Sequence, residues 1–127
     1  MYEKQKGIRA TQLLIQALDS LFDKWCLTDP EKMALLGYSS RDEWRAWGDT
    51  PVTELPPSFI ERASALRSIY ETINCLLPTP DRADAWIRQP NSCPTFEGRS
   101  ALQVMMDGDS DGLTLVRDFL LSQANGS

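Results

Sequence analysis

The chain has 127 residues, 42% of them hydrophobic, and a net charge of −5, which suits one domain or two small modules sharing a core and excludes nucleic-acid binding through bulk charge. It holds no histidine, so the commonest general base and every Ser-His or Cys-His nucleophile pair are missing, and a protein without catalysis or cofactor is expected. Cys26, Cys75 and Cys93 lack CxxC spacing, which argues against a disulfide framework and structural zinc. No apolar run approaches the roughly 18–20 residues that span a bilayer, and the opening "MYEKQKGIR" leads into no signal-peptide pattern. The expectation is a cytoplasmic protein with no membrane contact. Residues 1–52 carry seven Lys/Arg against eight Asp/Glu and residues 53–127 six against ten, so any contact with DNA must be local.

Leu14, Leu18, Leu21, Phe22 and Trp25 form one apolar stripe and predict a first helix from about Arg9 to Trp25. Three capping boxes follow, Thr28 with Glu31, Ser40 with Glu43 and Ser58 with Glu61, and each predicts a helix start. "TDPEKMALLGYSSRDEWRAWG" then reads as short helices at 29–36 and 41–47 about a turn at Gly37-Tyr38-Ser39, the spacing of a helix-turn-helix. Leu36, Trp44 and Trp47 would face inward; Ser39, Ser40, Arg41 and Arg45 would face out. "DTPVTELPP" is the candidate linker.

Phe59, Ile60, Ala63, Leu66, Tyr70, Ile73 and Leu77 define a long helix ending at Pro78. Asp81 is placed as cap of a short helix "RADAWIRQ", "PNSCPTFEG" as a loop, Ser100 as cap of "ALQVMM", and the last helix at about Gly112 to Gln123. No segment alternates as a strand does. The chain reads as all-α: residues 1–52 a helix-turn-helix module, residues 53–127 a second helical unit reached through the long helix.

"DGDSDG" has the spacing of a calcium loop, with Asp107, Asp109 and Asp111 at positions one, three and five, Gly112 at the sharp turn and Asp118 at position twelve. Against it stand Thr114 at the position that usually pairs with a second loop, a short incoming helix, and Asp in place of the bidentate Glu. An inter-helix turn, with Gly108 ending one helix and Asp109 or Asp111 starting the next, requires less. No metal is therefore expected.

"ADAWIRQPNSCPTFEGRSALQVMMDG…GLTLVRDFLL" resembles the antitoxin family with an Xre-type front module and an MbcA/ParS-type toxin-binding domain. The resemblance rests on Trp86, Pro90-Asn91, Phe96, Gly98, Leu102, Gly108, Gly112-Leu113, Val116-Arg117 and Leu120. "LFDKWCLTDPEKMALLGYSSRDEWRAW" and "FIERASALRSIYETINCLLP" resemble its helix-turn-helix and connecting helix, so the likeness runs from about Leu18 to Leu121.

That family implies a cognate toxin, commonly of the NAD-depleting RES type, whose active site the C-terminal part covers, and a front module that binds the promoter, in a homodimer matched to a two-fold operator. Carried over by position, Ser39, Ser40, Arg41, Glu43 and Arg45 become the DNA-contact candidates, although Asp42 and Glu43 leave the recognition helix without net positive charge. Toxin contact is expected from Phe96, Leu113, Val116, Arg117, Leu120 and Asn125, with Leu121 beside them. Arg117 is placed on the contact edge or in an intrachain pair with Asp81 or Asp84. Trp86 and Phe96 are expected to pack together and hold the Pro-rich loop.

Overall fold

A computed structural model describes residues 2–37, 40–94, 96–107 and 109–126; the side chains at 2–5, 41, 109 and 110 lie outside the description. Ser39, the Arg41 and Asp109 side chains, and Gly108 therefore fall outside the described residues. Among those described, the fold is all-α: α1 (Tyr2–Lys24), α2 (Asp29–Leu36), α3 (Arg41–Gly48), a short 3-10 turn (Val52–Glu54), α4 (Pro57–Leu76), α5 (Pro80–Trp86), α6 (Ala101–Asp107) and α7 (Asp109–Ala124). An isolated antiparallel bridge joins Pro90 to Ser100. No helix among them is long and apolar enough to cross a membrane.

α1 begins well before its apolar stripe. Buried Thr11 donates its hydroxyl to the Gly7 carbonyl at 3.0 Å, and Gly7 lies against Pro51, so the first turns rest on the connector rather than on a hydrophobic repeat. Cys26 leaves α1 with φ 55°. α2 opens on the full Thr28/Glu31 box and closes on Gly37 in the left-handed region at φ 73°, where glycine carries no Cβ penalty. Ser40 caps α3, its Oγ accepting from the Glu43 N–H at 3.2 Å. Trp44 and Trp47 turn inward onto Phe22 and Phe59, the closest ring pair, Trp47 and Phe59, being 4.5 Å between centroids.

Three expectations are corrected, and one alternative is set aside. Ser58 does not start α4: Pro56 and Pro57 do, because fixed proline φ angles suit the first helical positions, and no side chain caps that end. Asp81 does not cap α5; Thr79 does, its Oγ1 accepting from the Arg82 N–H at 3.3 Å ahead of Pro80. The proline-rich connector is packed, with Pro51 and Leu55 buried. The calcium alternative fails on backbone geometry, since the chain is helical from Asp109 through Asp118, where an EF-hand needs an irregular loop. Asp107 instead pairs with Arg99 at 3.7 Å and Asp118 with Arg117 at 3.5 Å.

The buried side chains form one cluster from Leu18 to Leu120. α7 lies along α4 and α6, and this layer carries Phe59, Leu66, Ile69, Ile73, Phe96, Met105, Leu113 and Val116 inward.

Candidate functional site

The loop between α5 and α6 is tied to itself before it touches anything else. The Asn91 N–H donates to the Arg99 carbonyl at 3.1 Å, and the Asn91 carbonyl accepts from the Gly98 N–H at 2.9 Å. Its side-chain Oδ1 takes the Cys93 N–H at 2.9 Å, an Asx turn. The Leu102 N–H reaches back to the Ile87 carbonyl at 2.8 Å, and Ser100 and Gln103 form a reciprocal cap at the head of α6. These bonds fix Phe96, which is fully buried.

Phe96 is the post on which two half-buried aromatics stand. It meets Trp86 edge-on at 6.0 Å and Phe119 edge-on at 4.9 Å, while Trp86 and Phe119 lie nearly parallel, 6.5 Å apart and 11° between planes. The expected Trp86–Phe96 packing is thus present, with Phe119 of α7 added. Edge-to-face and offset geometries of this kind add roughly 0.5–1.5 kcal/mol per pair beyond burial.

Beside this trio the ends of α4 and α7 enclose a groove of about 260 Å³, lined by Ile73, Leu76, Leu77, Trp86, Asn91, Phe119, Leu120 and Gln123. Leu76 stands 38% exposed in its lining, as does Leu121 elsewhere on α7. None of the lining residues ionises, and two amides supply the polar groups. The surface is apolar apart from those amides. It suits an apolar side chain of a partner, oriented by the amides of Asn91 and Gln123.

Sequence-predicted positions fall around this groove in different ways. Phe96, Leu113, Val116 and Leu120 are all core residues, 3% exposed or less, so they hold the face from beneath. Arg117 is half-buried and pairs with its neighbour Asp118 rather than with Asp81 or Asp84; it lines a separate hollow with Ile60, Ser64 and Thr114. Asn125 lies exposed just past α7, its N–H donating to the Leu121 carbonyl at 3.0 Å. Leu76, Leu77, Phe119 and Gln123 line the groove but are not among the toxin-contact candidates drawn from the sequence. The width of the α7 stripe was the available signal, because Phe119 follows Val116 by three residues.

At the other end, Ser40 and Arg45 are exposed on α3 and Glu43 is half-buried. Arg88, following α5, reaches back to the end of α1 and the start of α2. It donates to the carbonyls of Trp25 and Cys26, at 3.2 and 2.9 Å, and to both carboxylate oxygens of Glu31, at 3.0 and 3.2 Å. The hydrogen bond from Arg88, set against partial burial, holds the Glu31 carboxyl below its ordinary range.

Residues 74–126 match the antitoxin Xre/MbcA/ParS C-terminal toxin-binding domain, a span that contains the loop, the aromatic trio and most of the groove. The chain is also 34% identical over 112 residues, covering 88% of itself and 84% of the relative, to the uncharacterized protein y4oB of Sinorhizobium fredii (strain NBRC 101917 / NGR234). No solved structure matches it.

Proposed function

We propose that the chain, whose residues 74–126 match the antitoxin Xre/MbcA/ParS C-terminal toxin-binding domain, neutralises a cognate toxin stoichiometrically through the uncharged groove at the ends of α4 and α7. The single observation that carries this reading is the coincidence of that groove with the toxin-binding segment. In this reading residues 53–127 meet the toxin, Leu76, Trp86 and Phe119 receive an apolar side chain, and Asn125 lies where the chain leaves α7 toward the bound partner. The toxin is of the NAD-depleting RES type, as the family resemblance implies, and occlusion of its active site replaces any chemistry by the antitoxin itself.

A second role, local binding of promoter DNA by residues 1–52, is favoured by the exposed Ser40 and Arg45 on α3. The test is co-expression with the product of the adjacent reading frame, followed by purification and a mobility-shift assay on the upstream DNA. Growth rescue together with a stable complex is expected, and the complex should shift the DNA. A harmless neighbour, or two proteins that never associate, would sink the antitoxin reading; a complex that leaves the DNA unshifted would remove only the second role.

A further inference from the structure

Half-buried Asn91 belongs both to the loop between α5 and α6 and to the lining of the groove. Three of its four polar atoms are engaged inside the loop. Its N–H donates to the Arg99 carbonyl, its carbonyl accepts from the Gly98 N–H, and Oδ1 accepts from the Cys93 N–H at 2.9 Å. A main-chain N–H can only donate, so the side-chain atom facing Cys93 is the oxygen, and the amide cannot be turned over without losing that bond. Cys93 is itself held, its carbonyl accepting from the N–H groups of Phe96 and Glu97 at 2.9 and 3.2 Å. Among the described residues nothing takes the Asn91 Nδ2 hydrogens. What Asn91 offers beyond the loop is therefore an amino group, two donors and no acceptor.

The rest of the groove narrows what that donor can meet. Its volume of about 260 Å³ lies below the roughly 300–1,000 Å³ of small-molecule sites, and suits one large side chain. Ile73, Leu76, Leu77 and Phe119 make its wall apolar. No cation lines it, so a carboxylate would leave water without a countercharge. The acceptor that fits is neutral. Gln123 on α7 is exposed, and among the described residues no hydrogen bond fixes its amide, so it can present either end and imposes no choice.

We propose that Asn91 sets the specificity of the groove, which takes an apolar side chain of the toxin together with the main-chain carbonyl beside it, the carbonyl accepting from Asn91 Nδ2. This rests on the toxin-binding reading of the groove and adds what the toxin must present there. A group that only donates leaves the amide unmatched, and a buried donor without a partner discriminates more sharply than an apolar slot does. Two probes test the chemistry on the chain alone: N-acetyl-leucinamide, a branched alkyl group flanked by carbonyls, and isopentylammonium, the same alkyl group with donors only. In a proton–nitrogen correlation spectrum of the full chain, N-acetyl-leucinamide is expected to move the Asn91 side-chain amide signals saturably at millimolar concentration, and isopentylammonium to act at least tenfold more weakly. Asn91→Asp keeps an oxygen for the Cys93 N–H, since aspartate forms the same turn, but carries no donor when ionised. It should melt within a few degrees of wild type, lose the N-acetyl-leucinamide response and bind the toxin at least tenfold more weakly. Amide signals that stay still, or two probes that act alike, overturn the proposal, and this comparison on the wild-type chain decides even if Asn91→Asp unfolds. A toxin that binds Asn91→Asp as tightly as wild type overturns it too, while leaving the antitoxin reading intact. If the probes behave as expected but no toxin associates, the donor-selective groove stands and the toxin as its occupant falls.

Discussion

At Gly112, early in α7, only a hydrogen fits on the Cα. A Cβ there would run into the Val104 carbonyl oxygen of α6, a backbone atom that no rotamer change can move aside. The missing side chain lets the two helices meet at their corner and puts Leu113 and Val116 into the core, 1% and 0% exposed. Gly112→Ala is expected to cost about 1–3 kcal/mol through overpacking, seen as a lower midpoint in urea or thermal unfolding. An unchanged midpoint would mean that α6 and α7 slide apart freely. The sequence singles out this glycine, but for another reason: acids at alternate positions suggest a sharp metal-loop turn. Alternating acids are compatible equally with a loop and with the solvated first turn of a helix. What decides between them is how closely α6 passes, and that is a tertiary fact.

Two helix ends are completed from far along the chain. The last carbonyls of any helix lack intrahelical donors, and Arg88 reaches those of Trp25 and Cys26 from more than sixty residues away. In the same way the Arg62 Nη1 donates to the carbonyls of Ala34 and Leu35 at the close of α2, at 3.3 and 3.1 Å. A cation at a helix C-terminus also meets the negative end of its dipole. Local rules found the Thr28, Ser40 and Ser100 caps because donor and acceptor lie three residues apart; these arginine caps leave no such trace. Arg88→Met, which keeps the aliphatic stem, is expected to cost about 1–2 kcal/mol near neutral pH. Its pH dependence has a definite sign. Glu31 has a lowered pKa when folded, so its part of the stabilisation is complete above the ordinary carboxylate value of 4.5 and is lost as pH falls through the depressed one. Urea titrations at stepped pH should therefore show the gap between wild type and Arg88→Met narrowing in acid, leaving the carbonyl contribution. A gap that stays constant into acid would show that Arg88 acts without Glu31.

Across the whole molecule, support and contact are divided between residues of one stripe. Apolar periodicity located α4 and α7 and assigned both to the core side, yet it cannot tell which member of a stripe sits at the centre of the buried face and which at its edge. That depends on where α5 and its loop lean, and the lean is set by Asn91 closing the loop on Gly98 and Arg99. Hence Phe96, Leu113, Val116 and Leu120 carry the fold, while Leu76, Trp86 and Phe119 keep surface open along the groove. The division separates two losses that a binding assay alone would confuse. A chain ended before Asp109 removes the helix that covers α4 and α6 and exposes Phe96 and Ile73, so it is expected to lose cooperative unfolding as well as toxin binding. Leu76→Asp changes a side chain that is already 38% exposed; it should leave the melting temperature within a few degrees of wild type yet weaken the toxin complex at least tenfold, or about 1.4 kcal/mol. Calorimetric titration of both chains into the toxin, beside their thermal melts, reads the two effects separately. If Leu76→Asp binds like wild type while Leu121→Asp does not, the toxin contacts the outer edge of α7 rather than the groove.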